Sequence, residues 1–143
     1  MERMKLNILG LAEIRWTGAG SMKLGSKTLI YSGAHPHERG VGILFDVTTA
    51  KSLGSWCPVV AKLAAKTLKL GIIQVYAPTY DSEDVEVAKF YEEIDKAKGY
   101  LKLQSNIIVM GDFYTNVWDE RVEDVVGPSG IGTVNECGSR LIE

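Results

Sequence analysis

The sequence has 143 residues, of which 45% are hydrophobic and 24% are charged, and its formal net charge is −2. These proportions are typical of a soluble globular protein. The slight acidic excess argues against a domain that holds nucleic acid through bulk positive charge. The net charge does not exclude a nuclease, because metal-binding acids lower the net charge of such an enzyme. The N-terminal apolar run before Glu13 is too short for a membrane span and lacks the pattern of a signal peptide.

A chain of this length suits one domain, residues 1–143, with a core large enough to fold without disulfide bonds. Cys57 and Cys137 are the only cysteines, and their spacing is not that of a CxxC motif. We therefore expect two reduced thiols and an intracellular location, nuclear or cytoplasmic.

The first half of the chain predicts strands. Residues 6–12 are expected to form a short buried strand that ends at Glu13, and residues 26–33 and 40–46 two more, joined by a polar turn that contains Pro36.

The middle of the chain is ambiguous. Residues 59–70 carry the alanines and lysines of a helix, but the preceding Pro58 favours a pair of strands that turns near Gly71. Residues 71–77 predict a strand that Pro78 stops.

The clearest helix covers residues 82–101, with Asp81 as its N-cap. An apolar stripe at helical spacing predicts that one face packs on a sheet; its members are Val87, Phe90, Tyr91, Ile94 and Leu101. A buried strand over 106–111 follows, and Asn135 is expected to cap a last helix. The order of strands and helix indicates the α/β class.

Three polar side chains are predicted at the carboxyl ends of strands: Glu13, Tyr76 and Asp112. In α/β proteins this end of a sheet commonly carries the chemistry. Two carboxylates from separate strands suit Mg²⁺, which completes its shell with water and phosphate oxygens. Such a site could support hydrolysis of a phosphodiester. The simpler alternative is that both acids end their strands and cap adjacent turns.

Five motifs in order along the chain carry a family resemblance: ILGLAEIRW, YSG…RGVGILF, VYAPT, FYEEI and IIVMGDF. Together they resemble the endonuclease/exonuclease/phosphatase family. The likeness is to endonuclease domains of LINE-type retrotransposons and to the craniofacial-development-protein-like sequences derived from them. It covers nearly the whole chain, and it implies a partial α/β sandwich, mainly one mixed sheet with a flanking helix.

The resemblance also implies residue roles. Glu13 matches the metal-binding glutamate, and Asp112 matches the aspartate that binds metal and orients the attacking water. Tyr76 matches an active-site tyrosine near the phosphate, and Arg39 lies where the family has a basic residue. The implied cofactor is Mg²⁺, with Mn²⁺ as an alternative, and the implied substrate is DNA.

Some features depart from the family pattern. Tyr114 stands where the GDFN motif has an asparagine that stabilises charge, and Asn116 is the nearest substitute for that amide. Only twelve residues precede Glu13, and the family's second half, with its aspartate and histidine, has no counterpart before Glu143. We therefore expect a truncated domain with impaired hydrolysis; the alternative is a non-catalytic, retroelement-derived remnant with a binding or structural role. An uncovered sheet face would then favour self-association.

Other candidate sites are weaker. His35 and His37 flank Pro36 in a polar turn, and two histidines in such a turn are usually solvated rather than bound to a metal. The tryptophans at positions 16, 56 and 118 could stack on bases, although core or interface packing is the commoner role of tryptophan.

Overall fold

The computed structural model describes residues 1, 3–33, 39–58, 60–64, 69–79, 81–102, 106–117, 126–127 and 133–142. The chain separates into two compact units. The first unit consists of residues 1–76 and 92–112, and the second of residues 77–91 and 113–143. The single domain expected over 1–143 stays a prediction.

Eight strands and three helices make up the described chain. In chain order they are β1 (Ile8–Leu11), β2 (Gly18–Leu24), β3 (Lys27–Gly33), β4 (Val41–Phe45), a short 3-10 helix (Thr49–Ser52), β5 (Leu53–Cys57), β6 (Val60–Ala64), β7 (Lys69–Tyr76), α1 (Asp84–Tyr100), β8 (Asn106–Asp112) and α2 (Glu136–Ile142).

The strands form two four-stranded sheets. The first has the order β1-β4-β3-β2 with antiparallel neighbours, and the second has the order β5-β6-β7-β8, in which β7 and β8 are parallel. The predicted partial α/β sandwich is confirmed. The expectation of mainly one mixed sheet is corrected, because the strands divide equally between a mixed sheet and an antiparallel one.

The core of the first unit lies between these two sheets. Its cluster of buried side chains draws on both of them: Ile30, Ile43 and Phe45 from the first sheet, and Ala61, Leu63 and Ile72 from the second. This is the packing expected of a sandwich, in which the inner faces of two sheets interdigitate.

Residues 60–64 and 69–76 form strands, which resolves the ambiguity for these parts of the stretch. The predicted turn near Gly71 is wrong, because Gly71 lies inside β7 and pairs with Lys62 of β6. Residues 65–68, between the two strands, lie outside the described chain. A glycine is required at position 71 for a different reason: the side chain of Leu101 packs against it and would overlap an added Cβ.

Helix α1 begins at Asp84, two residues later than predicted. Asp81 is therefore not the N-cap; the carbonyl of Glu83 accepts hydrogen bonds from the amides of Glu86 and Val87 instead. The predicted stripe is confirmed in part. Val87, Ile94 and Leu101 are buried, while Phe90 and Tyr91 are half-buried. No helix among the described residues is long and apolar enough to cross a membrane.

Strand β8 is not the buried strand that its apolar sequence predicts. It is the terminal strand of the second sheet, and the side chains of Ile107 and Ile108 are 39% and 49% exposed. A run of apolar residues is typical of a central parallel strand, so the pattern alone does not distinguish it from this edge position.

Candidate functional site

The backbone around Glu13 makes a sharp turn after β1. Glu13 adopts a left-handed conformation with φ of 55°, and the amide of the next residue, Ile14, donates a hydrogen bond of 2.8 Å to the carbonyl of Gly40. The turn leaves the Glu13 side chain exposed at the carboxyl end of β1, while the following residue stays attached to the start of β4.

Two glycines allow this turn to lie directly on the sheet. A Cβ at Gly40 would collide with the carbonyl oxygen of Ile14, and a Cβ at Gly33 would collide with that of Trp16. Because the obstructing atoms belong to the backbone, neither contact can relax by a simple rotamer change. The segment 13–16 is therefore fixed against the ends of β3 and β4.

Tyr76 joins Glu13 to the second sheet. Its hydroxyl donates a hydrogen bond of 2.9 Å to Oε1 of Glu13, although 63 residues separate the two in sequence. Tyr76 is half-buried at the carboxyl end of β7, and Glu13 is exposed. A bond of this length orients the carboxylate and leaves its other oxygen available to a ligand.

Asp112 is the register partner of Tyr76 in the parallel pair β7–β8, and each is the last residue of its strand. Neighbouring strands lie about 4.8 Å apart, and paired residues project from the same face of the sheet. The side chains of Tyr76 and Asp112 therefore emerge together. The structure thus places Tyr76 beside both predicted acids; their catalytic roles stay predictions.

The donor chemistry of this group fits a hard divalent cation. Glu13 and Asp112 offer two exposed carboxylates, as many protein ligands as Mg²⁺ commonly takes, with the remaining positions filled by water and phosphate oxygens. Within the described ranges, no group of three or more His, Cys, Asp or Glu side chains is arranged to hold a metal ion.

Arg39 lies next to this turn, because the residue that follows it is the Gly40 that binds Ile14. It is exposed, and its backbone is left-handed with φ of 57°. The histidines predicted as weak metal candidates, His35 and His37, lie outside the described residues.

Tyr114 and Asn116 belong to the second unit. The amide of Asn116 donates to Oδ1 of Asn135 at 3.2 Å, and its carbonyl accepts from the amide of Asn135 at 3.3 Å. Asn135 also caps α2, as predicted, since its Oδ1 accepts a 2.8 Å bond from the amide of Gly138. Asn116 is thus tied to a helix cap through its backbone, and a phosphate contact by its side chain stays a prediction.

Sequence reasoning missed Gln74, which is 2% exposed in β7 and shares a strand face with Tyr76 two residues later. Its side chain packs against Gly10 of β1, and its Nε2 donates a 3.4 Å bond to the carbonyl of Val75. Among the described residues its Oε1 accepts no hydrogen bond. The sequence feature that could have identified Gln74 is a single amide side chain directly between the apolar residues Ile73 and Val75 of β7.

No protein-family model and no solved structure matches the chain. Two curated proteins are similar to it. Craniofacial development protein 2 of Bos taurus is 30% identical over 149 aligned positions, covering 100% of this chain and 25% of that protein. Craniofacial development protein 2 of Tragulus javanicus is 28% identical, covering 100% of this chain and 26% of that protein. The chain is therefore homologous over its whole length to these proteins, and spans about a quarter of theirs.

Proposed function

We propose that the chain descends from the endonuclease/exonuclease/phosphatase family, in its LINE-type retrotransposon branch. Its ancestral activity is Mg²⁺-dependent hydrolysis of DNA phosphodiester bonds, and this activity is impaired in the present sequence. The observation that carries the proposal is the 2.9 Å bond from the Tyr76 hydroxyl to Glu13, with Asp112 in register beside Tyr76. The proposal includes an intracellular location, nuclear or cytoplasmic, where chromosomal DNA is found.

The three residues divide the chemistry as follows. Glu13 and Asp112 would hold the cation, and Tyr76 would fix the carboxylate of Glu13 in the orientation that binding requires. When bound, Mg²⁺ or Mn²⁺ supplies Lewis-acid polarisation of a phosphoryl oxygen. Asp112 orients a water molecule for in-line attack on phosphorus.

Arg39 supplies positive charge next to this edge. Its guanidinium suits a non-bridging phosphate oxygen, which it can bind with two parallel hydrogen bonds. Because Arg39 is exposed and precedes the glycine bound to Ile14, it stays near the turn that carries Glu13.

The impairment comes from position 114. The family's asparagine at this position stabilises charge on the scissile phosphate, and the phenol of Tyr114 is longer and cannot replace an amide. Loss of one such donor typically lowers the rate by a factor on the order of 10²–10³.

A plasmid-nicking assay tests the proposal. The wild-type protein is expected to convert supercoiled DNA slowly to the nicked form with Mg²⁺ and not with chelator. Glu13→Gln and Asp112→Asn are expected to abolish nicking. Glu92→Gln is the matched control, since Glu92 is an exposed acid in α1, paired with Lys96. Nicking that survives both site substitutions would assign the activity to a contaminant and refute the proposal.

The second candidate is a non-catalytic remnant that serves as a binding or structural module. The bulky Tyr114 at the amide position favours it, and the name of the two relatives refers to development rather than to catalysis. DNA binding without any Mg²⁺-dependent nicking, unchanged by Glu13→Gln, would support this candidate over the first.

A further inference from the structure

Trp16 is an aromatic side chain that is 45% exposed and held on a rigid support. Its ring contacts that of Tyr31 in a perpendicular arrangement, with centroids 5.1 Å apart and planes at 84°. Its carbonyl oxygen lies so close to Gly33 that no Cβ would fit there. The indole is thus fixed by its backbone and by one ring, and much of its surface stays open.

Core packing does not explain this position. Trp56, by contrast, packs against the buried cluster between the sheets. A single perpendicular contact occupies an edge or one face of an indole, so at least one face of Trp16 is left to another ligand. Tyr31 lies in β3, between β2 and β4, which gives the pair a stable base.

Trp16 also lies close to the candidate site. It follows Glu13 by three residues, so their Cα atoms are at most about 11 Å apart. The exposed arginines Arg15 and Arg39 flank the same turn. An aromatic platform beside cationic groups is the combination with which proteins hold single-stranded nucleic acid, the bases stacking while the cations follow the phosphates.

We propose that Trp16 is a stacking platform for a nucleobase of single-stranded DNA whose adjacent phosphate lies at Glu13, Tyr76 and Asp112. The inference takes its ligand from the proposed function but requires no hydrolysis. Stacking would add affinity that does not depend on excess positive charge, which a protein with a net charge of −2 lacks.

Binding measured with Ca²⁺, which compensates the charge of Glu13 and Asp112 beside the phosphate, separates this inference from the nuclease proposal because it requires no hydrolysis. The probe is a fluorescently labelled 12-mer of mixed-sequence single-stranded DNA, titrated with protein and followed by anisotropy. Trp16→Leu, which keeps an apolar side chain without a π face, is expected to weaken binding roughly tenfold to a hundredfold. Trp16→Phe, which keeps a ring, is expected to retain most of the affinity. Tyr100→Ala, which removes an exposed aromatic of α1, is the control and should change nothing.

An abasic 12-mer of the same length identifies the contact as stacking. The wild type is expected to bind it as weakly as Trp16→Leu binds the ordinary strand, and Trp16→Leu should lower its binding no further. The inference is overturned if the wild type binds neither strand, if it binds both equally, or if Leu and Phe at position 16 behave alike. If the stacking contact is observed but no nicking is detected, the nuclease proposal is refuted and the stacking inference is not.

Discussion

Tyr114 combines a bulky side chain with a left-handed backbone, φ 47°, which few residues other than glycine, asparagine and aspartate adopt readily. The proposed nuclease ancestry places an asparagine at this position. The backbone at position 114 has a conformation that suits asparagine better than tyrosine.

Tyr114→Asn is expected to stabilise the fold and to increase nicking. Relief of the unfavourable backbone conformation should raise the free energy of unfolding by up to about 1 kcal/mol. The restored amide should raise the nicking rate by a factor on the order of 10². Denaturant unfolding and the plasmid assay measure the two effects. Tyr114→Phe, which keeps the ring and the strain, should raise neither quantity; if it does, the phenol hydroxyl is responsible instead.

Asp46 connects three elements at the end of β4. Its Oδ1 accepts a 2.7 Å bond from the amide of Thr49, at the start of the 3-10 helix, and its Oδ2 accepts a 2.9 Å bond from the side chain of Asn7, just before β1. Hydrogen bonds from the Thr49 side chain, the Thr49 amide and Asn7 lower the pKa of Asp46 from its ordinary value.

A lowered pKa means that Asp46 stabilises the fold when it is ionised. Its contribution is complete above the unfolded-state pKa of about 3.9, and it is lost as the pH falls through the lower folded-state pKa. Asp46→Asn should therefore lower the melting temperature near neutral pH, and the difference from wild type should shrink in acid. Thermal melts between about pH 2 and about pH 7 test this; a difference that stays constant with pH would contradict it.

At the level of elements, strands with continuous apolar runs were predictable and strands without them were not. β3, β4 and β7 lie close to their predicted ranges because apolar residues fill them. β2 and β5 were missed: their sequences, GAGSMKL and LGSWC, are rich in glycine and serine. Pairing with a neighbouring strand, rather than local propensity, makes them strands.

Gly33 and Gly40 pack against the backbone of the Glu13 turn. Substituting either one should therefore lower the free energy of unfolding, an effect that local propensity does not predict. Gly40→Ala should destabilise the first unit by about 2–3 kcal/mol and detach Ile14 from β4, because the added Cβ meets a backbone oxygen. Gly99→Ala is the matched control: nothing lies within 4 Å of its Cβ, and it sits in α1. Alanine there should stabilise by about 0.5–1 kcal/mol. Denaturant midpoints of the two variants should move in opposite directions.

At the level of the whole chain, sequence reasoning named candidate site residues without their geometry. Glu13, Tyr76 and Asp112 were recognisable because each follows an apolar strand. Their proximity depends on the parallel pairing of β7 with β8 and on the contact between the sheets, which no local pattern encodes. The left-handed turn at Glu13 and the buried amide of Gln74 could not be predicted from the sequence for the same reason, because both depend on contacts between segments that are distant in sequence.

The exposed edge of β8 predicts that the chain self-associates. Residues 106–110 carry no charge and no proline, the usual protections of an edge strand, and Ile107 and Ile108 expose apolar surface. A second copy can pair antiparallel about Val109, which sets Asn106 opposite Asp112 of the other copy. We therefore expect the molar mass of the wild type to rise with concentration in sedimentation velocity and light scattering.

Ile108→Lys should suppress this association, because pairing would bury an ammonium group against the apolar edge of the other copy. The matched control is Val85→Lys, which places the same side chain at a 77% exposed position of α1 and should leave association unchanged. Equal effects of the two substitutions would mean that added charge alone improves solubility. A wild type that stays monomeric at every concentration would refute the pairing.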